Sequence, residues 1–290
     1  MLASSLLLSA LFAGLVATGV TLAIERWGGL VGGVLGTVPS TIVPAGIGIY
    51  LTGGEDNFVA SMMVVPLGML LNALFLGAWL VLPRWFSNAS RPLLLTSIGA
   101  LAFWCVMGMG AWFLLQNTVV GILFTEQEFA AMGLILLFLI AVWFNRRPQP
   151  APKGTNAVSK TVLFARGSMA ALAIGVAVWM AGLGLPLLAG LASVFPAIFL
   201  TSMVALWLAQ GETVPRGAAG PMMLGSVSVA VYALVIMWSL PTLGPVLGTL
   251  VAWLVAVGGW SCPVYLVLRR RDVIHSLRES SALQPEPLQS

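Results

Sequence analysis

Basic residues in this chain fall almost entirely between long apolar bands, and on one side of any membrane those bands could cross. The bands run over 6–24, 30–51, 58–82, 93–115, 129–144, 161–180, 185–208, 218–240 and 243–268. Each is close to the roughly 20 helical residues that a hydrocarbon core requires. Let the connecting loops alternate between two sides, with the N-terminus outside. One side then collects Arg26, Arg84, Arg91, Arg146, Arg147, Lys153, Lys160, Arg216, Arg269, Arg270, Arg271 and Arg278, twelve of the 13 basic residues. The other side carries Glu55, Asp56, Glu126 and Glu128 and no Lys or Arg. Cytoplasmic loops are the basic ones. The pattern therefore predicts an all-α integral membrane protein of nine spans in an inner (plasma) membrane, with an outer N-terminus and a cytoplasmic C-terminus.

The composition excludes the soluble alternative. A mean hydropathy of +1.02 and 8% charged residues, against about 25% in soluble domains, leave too few polar side chains to cover nine helices. The net charge of +4 comes from the inner loops and the tail, where it serves orientation and attraction to anionic lipid rather than nucleic acid. No Lys or Arg precedes Arg26, so the first band reads as a retained span rather than a cleaved leader. Cys105 and Cys262 lie in apolar bands and His275 in the tail, which gives no support to a disulfide framework or a histidine metal site. No cofactor is implied.

An internal repeat organises the bands. A shift of 157 residues places Gly33 on Gly190, Pro39 on Pro196, Leu51 on Leu208, Gly54 on Gly211, Glu55 on Glu212, Gly68 on Gly225 and Ala73 on Ala230, without a gap. This divides the chain into a four-helix unit (1–116), a linking helix with a proline-containing cytoplasmic linker (117–160), a second four-helix unit (161–271) and a tail (272–290). The fifth band stands between the units, so an odd number of spans separates equivalent helices and the second unit is expected upside down. Inverted repeats of this kind are a common architecture of secondary transporters.

The stretch Leu188-Ala-Gly-Leu-Ala-Ser-Val-Phe-Pro196-Ala-Ile-Phe-Leu, followed by Gln210-Gly-Glu212 and by Gly225-Ser-Val-Ser, resembles the small four-helix GlpM/DUF3147 type of bacterial membrane protein. The first unit departs from it, with Val38 before Pro39 and the more polar Ser40, Thr41 and Pro44 after it. The resemblance implies a fused pair of small membrane units and leaves the function open.

Candidate site residues follow from what a bilayer penalises. Pro39 and Pro196 each remove a helix donor and free a carbonyl; in hydrocarbon a freed carbonyl must be buried in protein or face a wet cavity. Ser40, Thr41 and Pro44 near the first break, and Ser193 and Thr201 near the second, are candidates to line such a cavity. The plain alternative is that both prolines only kink packed helices. Arg166, inside the sixth band, is a candidate anion contact, or its long side chain snorkels to the interface. Asn72 in the third band either lines a path or bonds a neighbouring helix. Tyr232, Ser226 and Ser228 lie in the corresponding band of the second unit. Glu55 and Glu212 read as solvated turn residues or as gate carboxylates. Met62, Met63, Met107, Met109, Met222, Met223 and Cys105 admit a soft-metal path, though methionine is also a routine apolar filler. The tryptophans, among them Trp27, Trp85, Trp104, Trp143 and Trp260, read as interfacial anchors.

No phosphate loop, HExxH helix or Cys-x-x-Cys motif is present, so an enzyme is not expected. The reading this supports is a secondary transporter or permease for a small polar or amphiphilic solute, working by alternating access. The alternatives are a non-transporting partner in envelope polysaccharide or lipid assembly, and a channel-like pore. The lipid bilayer and a small solute are the partners implied, with homo-oligomerisation open.

Overall fold

The computed structural model of the chain describes residues 2–27, 38–116, 125–146, 159–211 and 213–282. Among them every regular element is helical: α1 (Leu2–Trp27), α2 (Ile42–Trp85), α3 (Pro92–Gln116), α4 (Glu126–Phe144), α5 (Lys160–Gly182), α6 (Pro186–Ser193), α7 (Ala197–Gln210), α8 (Thr213–Ala256), a π-helical turn (Val257–Ser261) and α9 (Cys262–Ala282). Helices are the expected answer to apolar sequence in hydrocarbon, because each satisfies its own backbone. Six stretches are long and apolar enough to cross a membrane: Ile42–Trp85, Pro92–Gln116, Gln127–Phe144, Lys160–Gly182, Pro186–Leu208 and Pro215–Arg271. Ser4–Gly19 in α1 is a shorter apolar helix.

The two longest elements are interrupted by glycines. Gly54 breaks α2 at φ 77°, ψ 179° and Gly244 breaks α8 at φ 80°, ψ 170°. Only glycine visits this region without strain. An unbroken helix of the 44 residues in α2 would run about 66 Å, twice the hydrocarbon thickness; the break divides it into a short segment, 42–53, and a longer one, 55–85. The second-unit counterpart of Gly54 is Gly211, which lies between α7 and α8 at φ 89°, ψ 176°. The two glycines thus share one backbone conformation.

Small residues set the helix contacts. α1 packs antiparallel to α5: Ala10 lies against Gly175 and Thr18 against Gly167, and a Cβ on Gly14 would stand 3.0 Å from the Gly167 carbonyl oxygen. Gly167 and Gly175 stand 157 residues after Ala10 and Thr18, so a shift by that spacing exchanges the two outer contacts. In the absence of a hydrophobic force between helices in lipid, close backbone approach at such residues supplies the association. α2 packs on α8 and α6. Gly190 of α6 sits directly on the Ser61 carbonyl of α2. Replacing Gly190 with Ala should therefore push α6 off α2 at a cost of about 1–3 kcal/mol, read as a lower unfolding midpoint in detergent. No measurable change would mean that α6 is free to shift. Its first-unit counterpart, Gly33, is outside the described residues.

α4 starts on a capping box, in which the Thr125 N–H donates to Glu128 (2.7 Å) and the Glu128 N–H to the Thr125 hydroxyl (3.3 Å). It lies against α2 and α8 and turns most of its apolar surface outward, the peripheral position expected of a linking helix. Its far end is fastened by Asn145, whose amide donates to the Ala141 and Gly220 carbonyls (2.7 Å each) and whose carbonyl accepts from Arg271 (3.0 Å).

Candidate functional site

The interior holds two non-helical segments side by side. In the first, Val38, Pro39, Ser40 and Thr41 lead into α2 without helical structure. In the second, Val194 and Phe195 separate α6 from α7, and Pro196 occupies the N-cap of α7. At both places proline offers no N–H to a preceding turn, and regular helix begins only after it, at Ile42 and at Ala197. Between the breaks lies a cavity of about 60 Å³, room for roughly four waters. Val38–Ile42, Met69 and Asn72 line it from one side, Ala170, Ala173 and Ile174 from α5, and Ser193–Phe195, Ala197–Phe199 and Val229 from the other.

Of the residues singled out from sequence, Pro39, Ser40, Thr41, Asn72 and Ser193 meet at this cavity. Pro196 and Pro44 are buried but stand behind its wall. Thr201 and Arg166 form a separate polar cluster one helical turn away. The Arg166 Nε donates to the Thr201 hydroxyl at 3.0 Å, and its Nη2 to the Ser202 hydroxyl. Arg166 is one turn before Ala170, and Thr201 one turn after Ala197, both of them wall residues. The side chain is 5% exposed, so it does not run outward along the surface; two hydroxyls inside the protein receive it instead. Tyr232 is fully buried in α8 and does not reach the cavity. Glu55 is exposed at the Gly54 corner. Glu212 lies outside the described residues.

Asn72 makes both kinds of contact foreseen for it. It faces the cavity, and its amide is fully engaged. Nδ2 donates to the Val194 carbonyl at 2.8 Å, while Oδ1 accepts from the Trp104 indole at 2.8 Å. Val194 is the residue at which α6 ends, so Asn72 supplies the partner that a broken helix in an apolar interior lacks. Trp104 also packs edge-on against Phe195 at 5.5 Å. This corrects the reading of Trp104 as an interfacial anchor: it is a buried strut between α3, α2 and the second break. Trp260 likewise donates inward, to the Leu224 carbonyl at 2.7 Å. Trp85 and Trp143 are exposed. Sequence could not pair Asn72 with Trp104, because residues in different helices obey no spacing rule.

Ser226 and Ser228 turn back to their own helix, donating to the Met223 and Gly225 carbonyls. Met62 and Met223 are buried, whereas Met107, Met109 and Cys105 face outward on α3, so no methionine path assembles from them. Among the described residues, no ionisable side chain lines the cavity. Its chemistry is that of hydroxyls, non-helical backbone and one amide. No protein-family model matches the chain, and no curated protein or solved structure does either.

Proposed function

We propose that this protein is a secondary transporter or permease of the inner membrane, moving a small polar or amphiphilic solute by alternating access between two inverted four-helix repeats. One observation carries the reading, the make-up of the cavity wall. Val38, Ser40, Thr41, Ile42 and Asn72 line it from the first unit; Phe195, Ala197, Ile198, Phe199 and Val229, their counterparts at the 157-residue spacing, line it from the second. A site shared by equivalent parts of two units lies where repacking one unit on the other exposes it to either face. The common conformation of Gly54 and Gly211 and the repeated α1–α5 contact support the duplication. Counting α2 and the α8–α9 stretch as two crossings each, split at Gly54 and Gly244, and α6 with α7 as one, the chain passes nine times, which inverts the second unit.

The wall restricts the cargo. With no fixed charge lining it, a strongly charged solute would be poorly paid for its lost hydration. Arg166, one turn from the wall, biases the preference toward solutes with a partial or single negative charge. Purified protein in proteoliposomes, screened with such solutes under an imposed proton or sodium gradient, should show saturable uptake. Unsaturable flux would point to a pore, and no flux with a co-purifying envelope-assembly protein would support the non-transporting alternative.

The orientation has its own check. Single cysteines replacing Asp56 and Asn156 should react with an impermeant maleimide from opposite faces, Asp56→Cys from outside. Reaction of both from one face would sink the nine-span topology.

A further inference from the structure

Above and below the cavity, the two units place aromatic layers at equivalent positions. Asn72 is followed along α2 by Phe75 and, about 10 Å past Asn72 at the standard rise, by Trp79. The Phe75 and Trp79 rings meet edge-on at 6.4 Å, and Trp79 meets Trp207 of α7 at 6.1 Å. Val229, the counterpart of Asn72, is followed along α8 by Tyr232 and Ile236, the counterparts of Phe75 and Trp79. Ile236 packs at Gly46 beside Phe58, and Phe58 meets Tyr50, the counterpart of Trp207, edge-on at 5.4 Å. The layers lie on opposite sides of the cavity. Trp79 neighbours the end of α7 that leads into the start of α8, whereas Ile236, far along α8, neighbours the beginning of α2.

Phe58, Phe75, Trp79, Tyr232 and Ile236 have no exposure to solvent and Tyr50 and Trp207 are half-buried, so the inner part of each layer is closely packed. Each nevertheless contains a polar group that its packing does not satisfy. Among the described residues the Trp79 indole N–H has no acceptor, and the Tyr232 hydroxyl has only the neighbouring Thr249 hydroxyl, which it faces without the geometry of a full hydrogen bond. Buried polar groups are almost always paired, and leaving one unpaired disfavours the packed state. Water admitted by parting the layer would satisfy them. The closed form of each layer is thereby held less tightly than an all-apolar plug of the same size.

We propose that the Phe75–Trp79–Trp207 layer and the Tyr50–Tyr232–Ile236 layer are the two gates of the cavity, and that the unsatisfied groups of Trp79 and Tyr232 bias each gate toward opening and wetting. The gates close a cavity whose role rests on the transport reading above, so the test separates the two ideas. Ser40→Cys, in protein with Cys105 and Cys262 replaced by Ser, puts a thiol in the cavity wall. A charged methanethiosulfonate reagent is then applied to right-side-out and to inverted membrane vesicles.

Labelling from both faces is expected in the parent. Tyr232→Phe keeps the ring and removes the hydroxyl, and should slow labelling from the outer face about five- to tenfold, the order of effect of one unsatisfied buried group, with the inner rate unchanged. Trp79→Ala removes the plug of the other layer and should speed labelling from the cytoplasmic face alone. If Trp79→Ala does not reach the membrane, Trp207→Phe, a milder thinning of the same layer, replaces it with the same expected direction. A parent thiol that reacts from neither face overturns the transport reading, and the gates with it. A parent that reacts from both faces, with variants that leave the rates unchanged or alter both faces equally, overturns the gates alone.

Discussion

Replacing Asn72 with Leu should destabilise the folded protein by about 2–4 kcal/mol, the largest loss expected from any single side chain of the cavity wall. The substitution keeps the bulk and removes an amide that serves two buried groups at once. The Trp104 indole loses its acceptor and the Val194 carbonyl its donor. Orphaning a buried partner costs about 1–3 kcal/mol each. Couplings measured between membrane helices run lower than that, which sets the expected sum toward the middle of the range. Trp104→Phe should cost less, because Asn72 keeps its bond to Val194. The two losses should not add: once Asn72 is gone, the indole N–H of Trp104 has nothing left to lose. A double-mutant cycle on unfolding in detergent reads this directly. Strict additivity would mean that the Asn72–Trp104 bond does not form, and that the second break is held some other way.

Replacing Pro39 and Pro196 together with Ala should reduce transport to background while leaving the protein in the membrane. Alanine returns the N–H that proline withholds and allows helix to run through both breaks. The wall is built around two non-helical segments, 38–41 and 194–196, with the first residues of α2 and α7 beside them, so straightening both segments closes the cavity and covers the carbonyls a solute would meet. Insertion depends on the apolar bands, which the substitutions leave intact. Uptake in proteoliposomes, with whichever solute the gradient screen identifies, is the measurement. Of the single substitutions, Pro39→Ala should be the more damaging. Pro39 belongs to the cavity wall and Pro196 stands behind it, and Ser40 and Thr41 depend on the first break for their position. A double variant that transports at the full rate would reduce the prolines to packing elements and move the search for the site toward Asn72 and Arg166.

Much of the architecture was legible because it depends on local properties. Helix formation follows from apolar sequence in hydrocarbon, whatever the neighbours. The interruptions at Pro39, Pro196, Gly54 and Gly211 follow from residues whose own backbone chemistry forbids or permits a conformation. The 157-residue spacing could be read from these same punctuating residues, and the cavity lies between the non-helical segments that hold Pro39 and Pro196. Ser40, Thr41 and Ser193 were found because they adjoin the prolines in sequence.

Long-range pairing was not legible, and the reason is physical. An apolar band is hydrophobic on every face, so it carries no amphipathic stripe to say which side meets which helix. Arg166 was open to two placements until the fold put Thr201 and Ser202 within reach of its guanidinium. Trp104 had the composition of an interfacial anchor until α3 was laid against Asn72. Tyr232 occupies a position in its unit equivalent to a buried phenylalanine, and only the packing of α8 shows that it lies beyond the cavity rather than in its wall. Sequence by itself determined where this chain is apolar, where its helices must stop, and between which apolar bands its positive charge collects, since each is a property of a residue and its immediate neighbours in the chain. Only the tertiary structure decided which polar groups share the interior, because in a medium without water each must find its partner on whichever helix the close packing of small residues brings alongside.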